Sequence, residues 1–195
     1  MAAAATRAAL ADAGLDYDKV QQAYAGYVYG DSTCGQRSLY HVGMTGIPVL
    51  NVNNNCSTGS SALFLARQAV ESGAAECVLA LGFEQMQPGA IGAMFHDRVS
   101  PFAAFDEETD DLVRNPEIPL ALRYFGGAGK AHMDEFGTTL ETFARIRAKA
   151  SRHAARNPVA LFRQEVTPED VLAAQVVWPG VMTKLDTSNN CVLSG

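Results

Sequence analysis

The stretch from Ile47 to Glu84 constrains the fold more than any other part of this 195-residue chain. Two short apolar runs, Ile47–Asn53 and Glu76–Phe83, are rich in Val, Leu and Ile and lack polar alternation. Such runs predict strands that are covered on both faces. Between them, Ser57–Ser72 carries apolar side chains at helical spacing, and Gly73 follows as a left-handed cap. The stretch therefore predicts a parallel strand–helix–strand unit of an α/β protein.

Cys56 follows three asparagines where the first of these strands, a central one, passes into the helix. Open α/β sheets build their sites at this carboxyl edge. Unpaired N–H groups and the positive end of the helix dipole favour a thiolate there, and a thiolate is the nucleophilic form of cysteine. A buried structural cysteine is the alternative. The polar residues on both sides are poor core filler and favour a catalytic nucleophile, with the asparagines holding the turn.

The segment NVNNNCSTGSSALFLARQAVESGAAECVLALGFEQM resembles the nucleophile segment of the thiolase superfamily, most closely the sterol-carrier-protein-type thiolases. The resemblance extends upstream through YVYGDSTCGQRSLYHVGMTGIPVLNVNNNC and downstream through YFGGAGKAHMDEFGTT. It implies an acyl-CoA C-acyltransferase that thiolyses 3-ketoacyl-CoA or performs the reverse Claisen condensation. Cys56 would accept the acyl group as a thioester, and its own backbone N–H would be an oxyanion donor.

The same resemblance implies the N-terminal half of a thiolase fold, a mixed and mostly parallel sheet with helices, over residues 1–98 with its first strand missing. A mainly helical loop-domain insertion would follow over 99–183, then the truncated start of a returning strand over 184–195, with the C-terminal half absent. Thiolases take their base histidine from a Gly-His-Pro segment, which this sequence lacks. Three alternatives stay open: a partial acyltransferase, a non-catalytic partner subunit, and an aldolase-type relative acting on steroid side-chain CoA thioesters.

Part of the coenzyme A site is expected in the loop domain. The helix predicted at Leu140–Ala155 makes a basic surface in an otherwise acidic protein, and Arg145 and Lys149 are its candidates for binding the coenzyme A phosphates. An ordinary exposed helix face is the alternative. His132, in GKAHMDEFG, matches a loop-domain position that borders the substrate channel. Coenzyme A thioester is thus expected as substrate, with no resident cofactor.

The expected partners are acyl-CoA and a second chain, either a homodimer mate bound through the strand before Cys56 or a partner thiolase-type chain. A net charge of -6 and a pI near 5.1 argue against nucleic acid and anionic membranes. The four cysteines and four histidines show no CxxC or HxxxH spacing, so no metal site or disulfide framework is expected. No apolar run approaches the roughly eighteen residues of a membrane span. Cytoplasm is the expected location, with the peroxisome as alternative.

The rest of the chain predicts further local elements. The second half is expected to contain a charged surface excursion at Val99–Asn115, a helix at Pro119–Phe136 interrupted by its GGAG segment, and a capping pattern at Thr138–Glu141. A short helix is expected to begin at Pro168. The first half adds a helix at Ala2–Ala13, a strand at Gln21–Tyr29 and a short helix at Gln36–Val42.

Overall fold

The computed structural model describes residues 1–86, 88, 95–113 and 117–186. These divide into two compact units, one within residues 1–90 and the other within 91–190. The boundaries expected at 98 and 183 stay predictions. In the described ranges, no helix is long and apolar enough to cross a bilayer.

The first unit alternates helices and strands in the predicted order, and its bounds differ from the predicted ones by a few residues. The helices are α1 (Ala2–Ala13), α2 (Cys34–Tyr40) and α3 (Thr58–Glu71), and the strands are β1 (Gln22–Gly26), β2 (Val49–Val52) and β3 (Val78–Gly82). Local signals set several of these ends. Gly14, for example, adopts φ 65° just after α1, as a left-handed cap requires.

The three strands form a parallel sheet in the order β2-β1-β3. Ala23 of β1 lies opposite Val49 of β2 on one side and Leu79 of β3 on the other. The predicted parallel strand–helix–strand unit is therefore confirmed, with β1 inserted between its two strands. The mixed α/β fold class is confirmed as well.

One prediction about the strand before Cys56 is wrong. β2 is an edge strand of the described three-stranded sheet, not a central one. Its residues are half-buried or exposed, and Leu50 is 42% exposed, so its two faces are not both covered. β1 is buried almost throughout, because it has a strand at each side and helices on both faces.

Different helices cover the two faces of the sheet. α1 and α2 contribute Ala2 and Leu39 to a core with Ala23, Leu79 and Leu81. On the opposite face, α3 packs small side chains against the sheet, and these are Ala62, Ala66 and Ala69 beside Tyr24. Alanine at these helical spacings lets the α3 backbone lie close to the strands.

The second unit is mainly helical and ends in a small antiparallel hairpin. Its elements are α4 (Ala103–Val113), α5 (Leu120–Phe136), α6 (Leu140–Ala155), α7 (Pro168–Ala173), β4 (Val176–Trp178) and β5 (Met182–Thr183). The predicted bounds of α6 are confirmed, and α7 begins at Pro168 as expected. A capping box between Thr167 and Asp170 precedes that start.

The predicted interruption of α5 at GGAG is wrong, since α5 runs unbroken from Leu120 to Phe136. Gly126 and Gly127 are buried within it. A Cβ atom on Gly126 would lie 2.6 Å from Cε3 of Trp178, which explains why a helix-breaking residue stands there. Gly126 lets the Trp178 ring lie close to the backbone of α5, and it does not break the helix.

Other expectations for this unit also need correction. The charged excursion forms helix α4, because Phe102 and Phe105 pack against Tyr124 of α5. Thr139 is the N-cap of α6 by position, but its side chain makes no capping hydrogen bond. Most of the returning strand expected over 184–195 lies outside the described residues, which end at 186.

Candidate active site

Cys56 lies in the turn between β2 and α3, directly before the N-cap residue Ser57, and its side chain is exposed. Asn55, the residue before it, has φ 46°. Asparagine enters this left-handed region more readily than most residues. The turn therefore presents the Cys56 thiol to solvent at the positive end of α3. The structure thus places Cys56 at the predicted strand–helix junction, while its catalytic role stays a prediction.

The Thr58 hydroxyl ties the start of α3 to the backbone just before Cys56. Its Oγ1 accepts a hydrogen bond from the Asn54 N–H at 2.8 Å and donates one to the Asn55 carbonyl at 2.6 Å. The residue is only 4% exposed, so both bonds are sheltered from water. Ser57 adds a bond from its hydroxyl to the Asn54 carbonyl at 2.8 Å. These bonds hold Cys56 between two anchored residues.

The asparagine side chains hold the same turn, as the sequence predicts. Asn53 Oδ1 accepts from the Asn55 N–H at 3.2 Å. Asn54 Nδ2 donates to Ser61 Oγ at 2.9 Å, and the Ser61 hydroxyl donates to the Ser57 carbonyl at 3.0 Å. This network ties the turn to the first helical turns of α3.

The start of α3 rests directly on the end of β1. A Cβ atom on Gly26 would lie 2.7 Å from Cγ2 of Thr58 and 3.1 Å from its carbonyl oxygen. Only glycine leaves room for that contact. The position of Thr58, and that of the turn that carries Cys56, therefore depends on the residue at position 26 of β1 being glycine.

Glu84 is a site-supporting residue that the sequence analysis missed. It follows β3, and its carboxylate accepts hydrogen bonds from the N–H groups of Val28 and Tyr29 at 2.9 and 3.3 Å. This carboxylate fixes the chain just after β1, where the Tyr27 ring stacks on Phe83 at 5.3 Å between centroids. An acidic residue immediately after an apolar strand is the signal that could have identified it.

The Cys56 sulfur makes no hydrogen bond to any other described residue. No described histidine is therefore bound to the thiol. The other cysteines that the structure describes, Cys34 and Cys77, are half-buried. Among these three, Cys56 has the most accessible thiol.

The remaining candidate residues lie in the second unit, and the two units are described separately. Arg145 and Lys149 line one groove along α6, about 560 Å³ in volume, together with Glu141, Thr142 and Ile146. The Arg145 guanidinium binds Glu141 at 2.6 Å, and both side chains are largely exposed. The structure brings these two cations onto one helix face, as their spacing of four residues predicts.

His132 lies on α5, where its ring is 4.7 Å from the ring of Phe136. It is exposed, and the structure does not place it beside Arg145 or Lys149 in the groove. Within the described ranges, no group of three or more His, Cys, Asp and Glu side chains is arranged to hold a metal ion.

The family model "Thiolase, N-terminal domain" matches residues 1–180. The chain belongs to the thiolase family. The resemblance stated from the motifs around Cys56 is thus confirmed. The match covers both units, so the helical second unit is part of the thiolase N-terminal domain as well.

Thiolase-family relatives include sterol carrier protein 2 of Oryctolagus cuniculus and of Homo sapiens, each 50% identical over 182 residues. These alignments cover 91% of this chain and 33% of each relative. The chain therefore spans about a third of their length. The benzoylsuccinyl-CoA thiolase subunit BbsB of Thauera aromatica is 32% identical over 159 residues, 81% of this chain and 39% of that protein.

Among solved structures, the Ltp2-ChsH2(DUF35) aldolase superposes with a TM-score of 0.62 at 22% identity. The superposition covers 90% of this chain and 43% of that chain. At this level of identity the likeness shows a shared fold alone.

Proposed function

We propose that this thiolase-family chain accepts an acyl group from an acyl-CoA thioester on the sulfur of Cys56. The observation that carries the proposal is the position of Cys56: an exposed thiol before a helix start, in a turn whose preceding backbone is held by the Thr58 hydroxyl. A rigid turn keeps the nucleophile in one orientation, which lowers the entropy cost of attack.

The proposed step exchanges one thioester for another. The Cys56 sulfur attacks the carbonyl carbon of acyl-CoA, the bond from that carbon to the coenzyme A sulfur breaks, and the thiol proton ends on the released coenzyme A. The backbone N–H of Cys56 donates to the carbonyl oxygen as negative charge develops there. The products are S-acyl Cys56 and coenzyme A.

Complete turnover, either thiolysis of 3-ketoacyl-CoA or Claisen condensation, also needs a base and a second proton carrier. No described histidine bonds to the thiol, so we propose that a thiolase-type partner chain supplies these groups. The relative from Thauera aromatica, which is named a subunit, supports this assembly. β2 lies at an edge of the described sheet, where a strand of such a partner or of a second copy of this chain can pair with it.

We further propose that Arg145 and Lys149 bind the phosphates of the coenzyme A moiety, with His132 bordering the substrate channel. The support is electrostatic, because two cations face one groove on α6 in a protein of net charge -6. Two neighbouring cations attract a phosphate group more strongly than one cation does.

The proposal is tested by incubating the chain with acetyl-CoA and digesting it with trypsin. Cleavage after Lys and Arg places Cys34, Cys56, Cys77 and Cys191 in four different peptides, 20–37, 38–67, 68–98 and 185–195. We expect one acetyl group on peptide 38–67. Cys56→Ser should abolish that label, while Cys34→Ser and Cys77→Ser should retain it. Label on another peptide, or no label, would overturn the proposal.

The same experiment separates the alternatives. A non-catalytic partner subunit leaves all four peptides unlabelled. An aldolase-type activity, such as the similar solved protein is named for, predicts turnover of a coenzyme A thioester that survives Cys56→Ser. The cytoplasm, with the peroxisome as alternative, stays the predicted location.

A further inference from the structure

Positive charge is concentrated in one segment of the second unit. Between positions 142 and 164 the chain has six lysines and arginines and no aspartate or glutamate. The net charge of -6 argues against an anionic partner for the chain as a whole, but this segment has the opposite sign. Four of its cations follow one another along α6 and its C-cap at intervals of four, three and four residues, which places them on one face of the helix. These exposed residues are Arg145, Lys149, Arg152 and Arg156.

The loop that follows α6 carries large apolar side chains in water. Val159, Leu161 and Phe162 are 85%, 54% and 50% exposed. Arg163, which is also exposed, comes next in the chain. Large apolar side chains that lie together on a surface, bordered by polar residues, indicate an interaction site.

Hydrogen bonds hold this loop in one shape. After α6, the Asn157 side chain accepts from the Val159 N–H at 3.1 Å, and the Asn157 carbonyl accepts from the Ala160 N–H at 3.1 Å. At the far end, the hydroxyl oxygen of the buried Ser151 accepts from the Val166 N–H at 3.0 Å. A loop that is already ordered loses little conformational entropy on binding. Its apolar side chains therefore form a preformed contact.

Exposed apolar side chains beside a row of cations are the combination that holds proteins on anionic bilayers. The apolar groups enter the headgroup region of the bilayer, and the cations are attracted to the negative lipid headgroups. A free phosphate compound would contact the cations alone and would leave the loop in water. The apolar loop therefore favours a lipid surface as the occupant.

We propose that this part of the second unit docks on an anionic lipid bilayer. The docking surface, hereafter the α6-loop surface, consists of three cations and three apolar residues: Arg152, Arg156, Arg163, Val159, Leu161 and Phe162. The contact is made on the face of the bilayer and does not span it. It does not rest on the proposed acyl transfer at Cys56.

Flotation of the chain with lipid vesicles tests this docking. The wild-type chain is expected to float with vesicles of equal parts phosphatidylserine and phosphatidylcholine, and to remain unbound with vesicles of phosphatidylcholine alone. High salt should weaken the association, because it screens the attraction between charges. Cys56→Ser should float like wild type, so that the result is independent of whether Cys56 accepts an acyl group.

Substitutions on the α6-loop surface locate the contact. Arg156→Glu and Arg163→Glu should each lower the partition coefficient at least about fivefold, the contribution of one basic residue near an anionic surface. Phe162→Gln should lower it several-fold, because less apolar area leaves water. Arg67→Glu and Phe64→Gln make the same changes at exposed positions of α3 and should bind like wild type.

Two further variants separate docking from misfolding and from simple charge attraction. Arg156→Lys keeps the charge and should keep the affinity, so that a loss in Arg156→Glu reports on charge. Leu161→Trp places a tryptophan in the loop, in addition to Trp178, the single tryptophan of the wild type. Its emission should shift to shorter wavelength with the mixed vesicles, because the loop enters the headgroup region.

Four results would overturn the proposal. They are a wild type that does not bind the mixed vesicles, α6-loop variants that bind like wild type, an equal loss in the α3 controls, and a Leu161→Trp emission that does not shift. A wild type that ignores both kinds of vesicle but binds an immobilised acidic peptide would assign the α6-loop surface to a protein partner instead.

Discussion

The hydroxyl oxygen of Thr58 lies 2.8 Å from the backbone nitrogen of Asn54, so that one side chain bridges the turn in which Cys56 stands. The same hydroxyl donates to the Asn55 carbonyl. A buried threonine in the first turn of α3 therefore determines the conformation of the exposed residue two positions before it.

Replacing Thr58 should loosen this turn. Thr58→Val keeps the shape but leaves the Asn54 N–H and the Asn55 carbonyl without this partner, so we expect a loss of about 1–3 kcal/mol in unfolding free energy. Acylation of Cys56 should slow by roughly tenfold, because the thiol is held less firmly. Urea denaturation and mass spectrometry of peptide 38–67 measure the two effects. Thr58→Ser keeps both hydrogen bonds and serves as control; equal acylation rates for the Val and Ser variants would contradict the prediction.

Gly26→Ala should displace the start of α3. The added methyl group meets Cγ2 of Thr58 at 2.7 Å, and overpacking of this kind costs about 1–3 kcal/mol. Combining it with Thr58→Ser removes Cγ2 and should recover part of both stability and Cys56 acylation. A double-mutant cycle measures the coupling between the two positions. Strict additivity would show that this contact does not position the turn.

Two glycines of α5 should respond in opposite ways to alanine. At Gly126 the new Cβ meets the Trp178 ring at 2.6 Å, whereas at Gly129 the nearest atom, Cζ of Phe143, is 3.9 Å away. Gly126→Ala should therefore destabilise the second unit by about 1–3 kcal/mol. Gly129→Ala should be neutral or stabilise it by up to roughly 1 kcal/mol. Trp178 is the single tryptophan, so fluorescence-monitored denaturation reports on this unit directly; equal losses would refute the packing explanation.

The Tyr124 phenol should make the second unit sensitive to alkaline pH. Burial, together with the Asp106 carboxylate that accepts the hydrogen bond of the phenol, raises the pKa of Tyr124 to about 12. Because the folded pKa lies above the ordinary tyrosine pKa of about 10, the stabilisation is fully present below about pH 10 and is lost as pH rises through the folded pKa. Phenolate absorbance, as a difference between wild type and Tyr124→Phe, measures this titration. Asp106→Asn should lower the Tyr124 pKa, and an unchanged titration would exclude Asp106 as a cause.

The cations of the α6 groove should bind the phosphates of coenzyme A. Lys149→Ala and Arg145→Ala should each raise the Kd for coenzyme A several-fold. This increase should be smaller at high salt, because salt screens the attraction between charges. Lys19→Ala removes an exposed lysine of the first unit and is the control for the change in net charge. Isothermal titration calorimetry measures these affinities. If Lys19→Ala weakened coenzyme A binding equally, the loss would come from the change in net charge and not from the α6 groove.

Local sequence signals predicted most of the elements. The bounds of α6 and the start of α7 were confirmed, since the breaks and Pro168 that delimit them act within a few residues. The placement of Cys56 between a strand and a helix followed from the same kind of signal. The GGAG segment was misinterpreted, because its glycines accommodate Trp178, which lies some fifty residues further along the chain.

The sequence by itself determined the order of helices and strands, the thiolase-family motif around Cys56 and the basic face of α6, because apolar spacing, capping residues, motifs and charge are local properties of the chain. Only the tertiary structure decided that β2 lies at an edge of the described sheet, that Gly26 and Gly126 stand where other side chains approach, and that Thr58 and Glu84 hold the backbone near the candidate site. Those features depend on contacts between residues that the fold brings together, and strand order in particular is not encoded in any single segment.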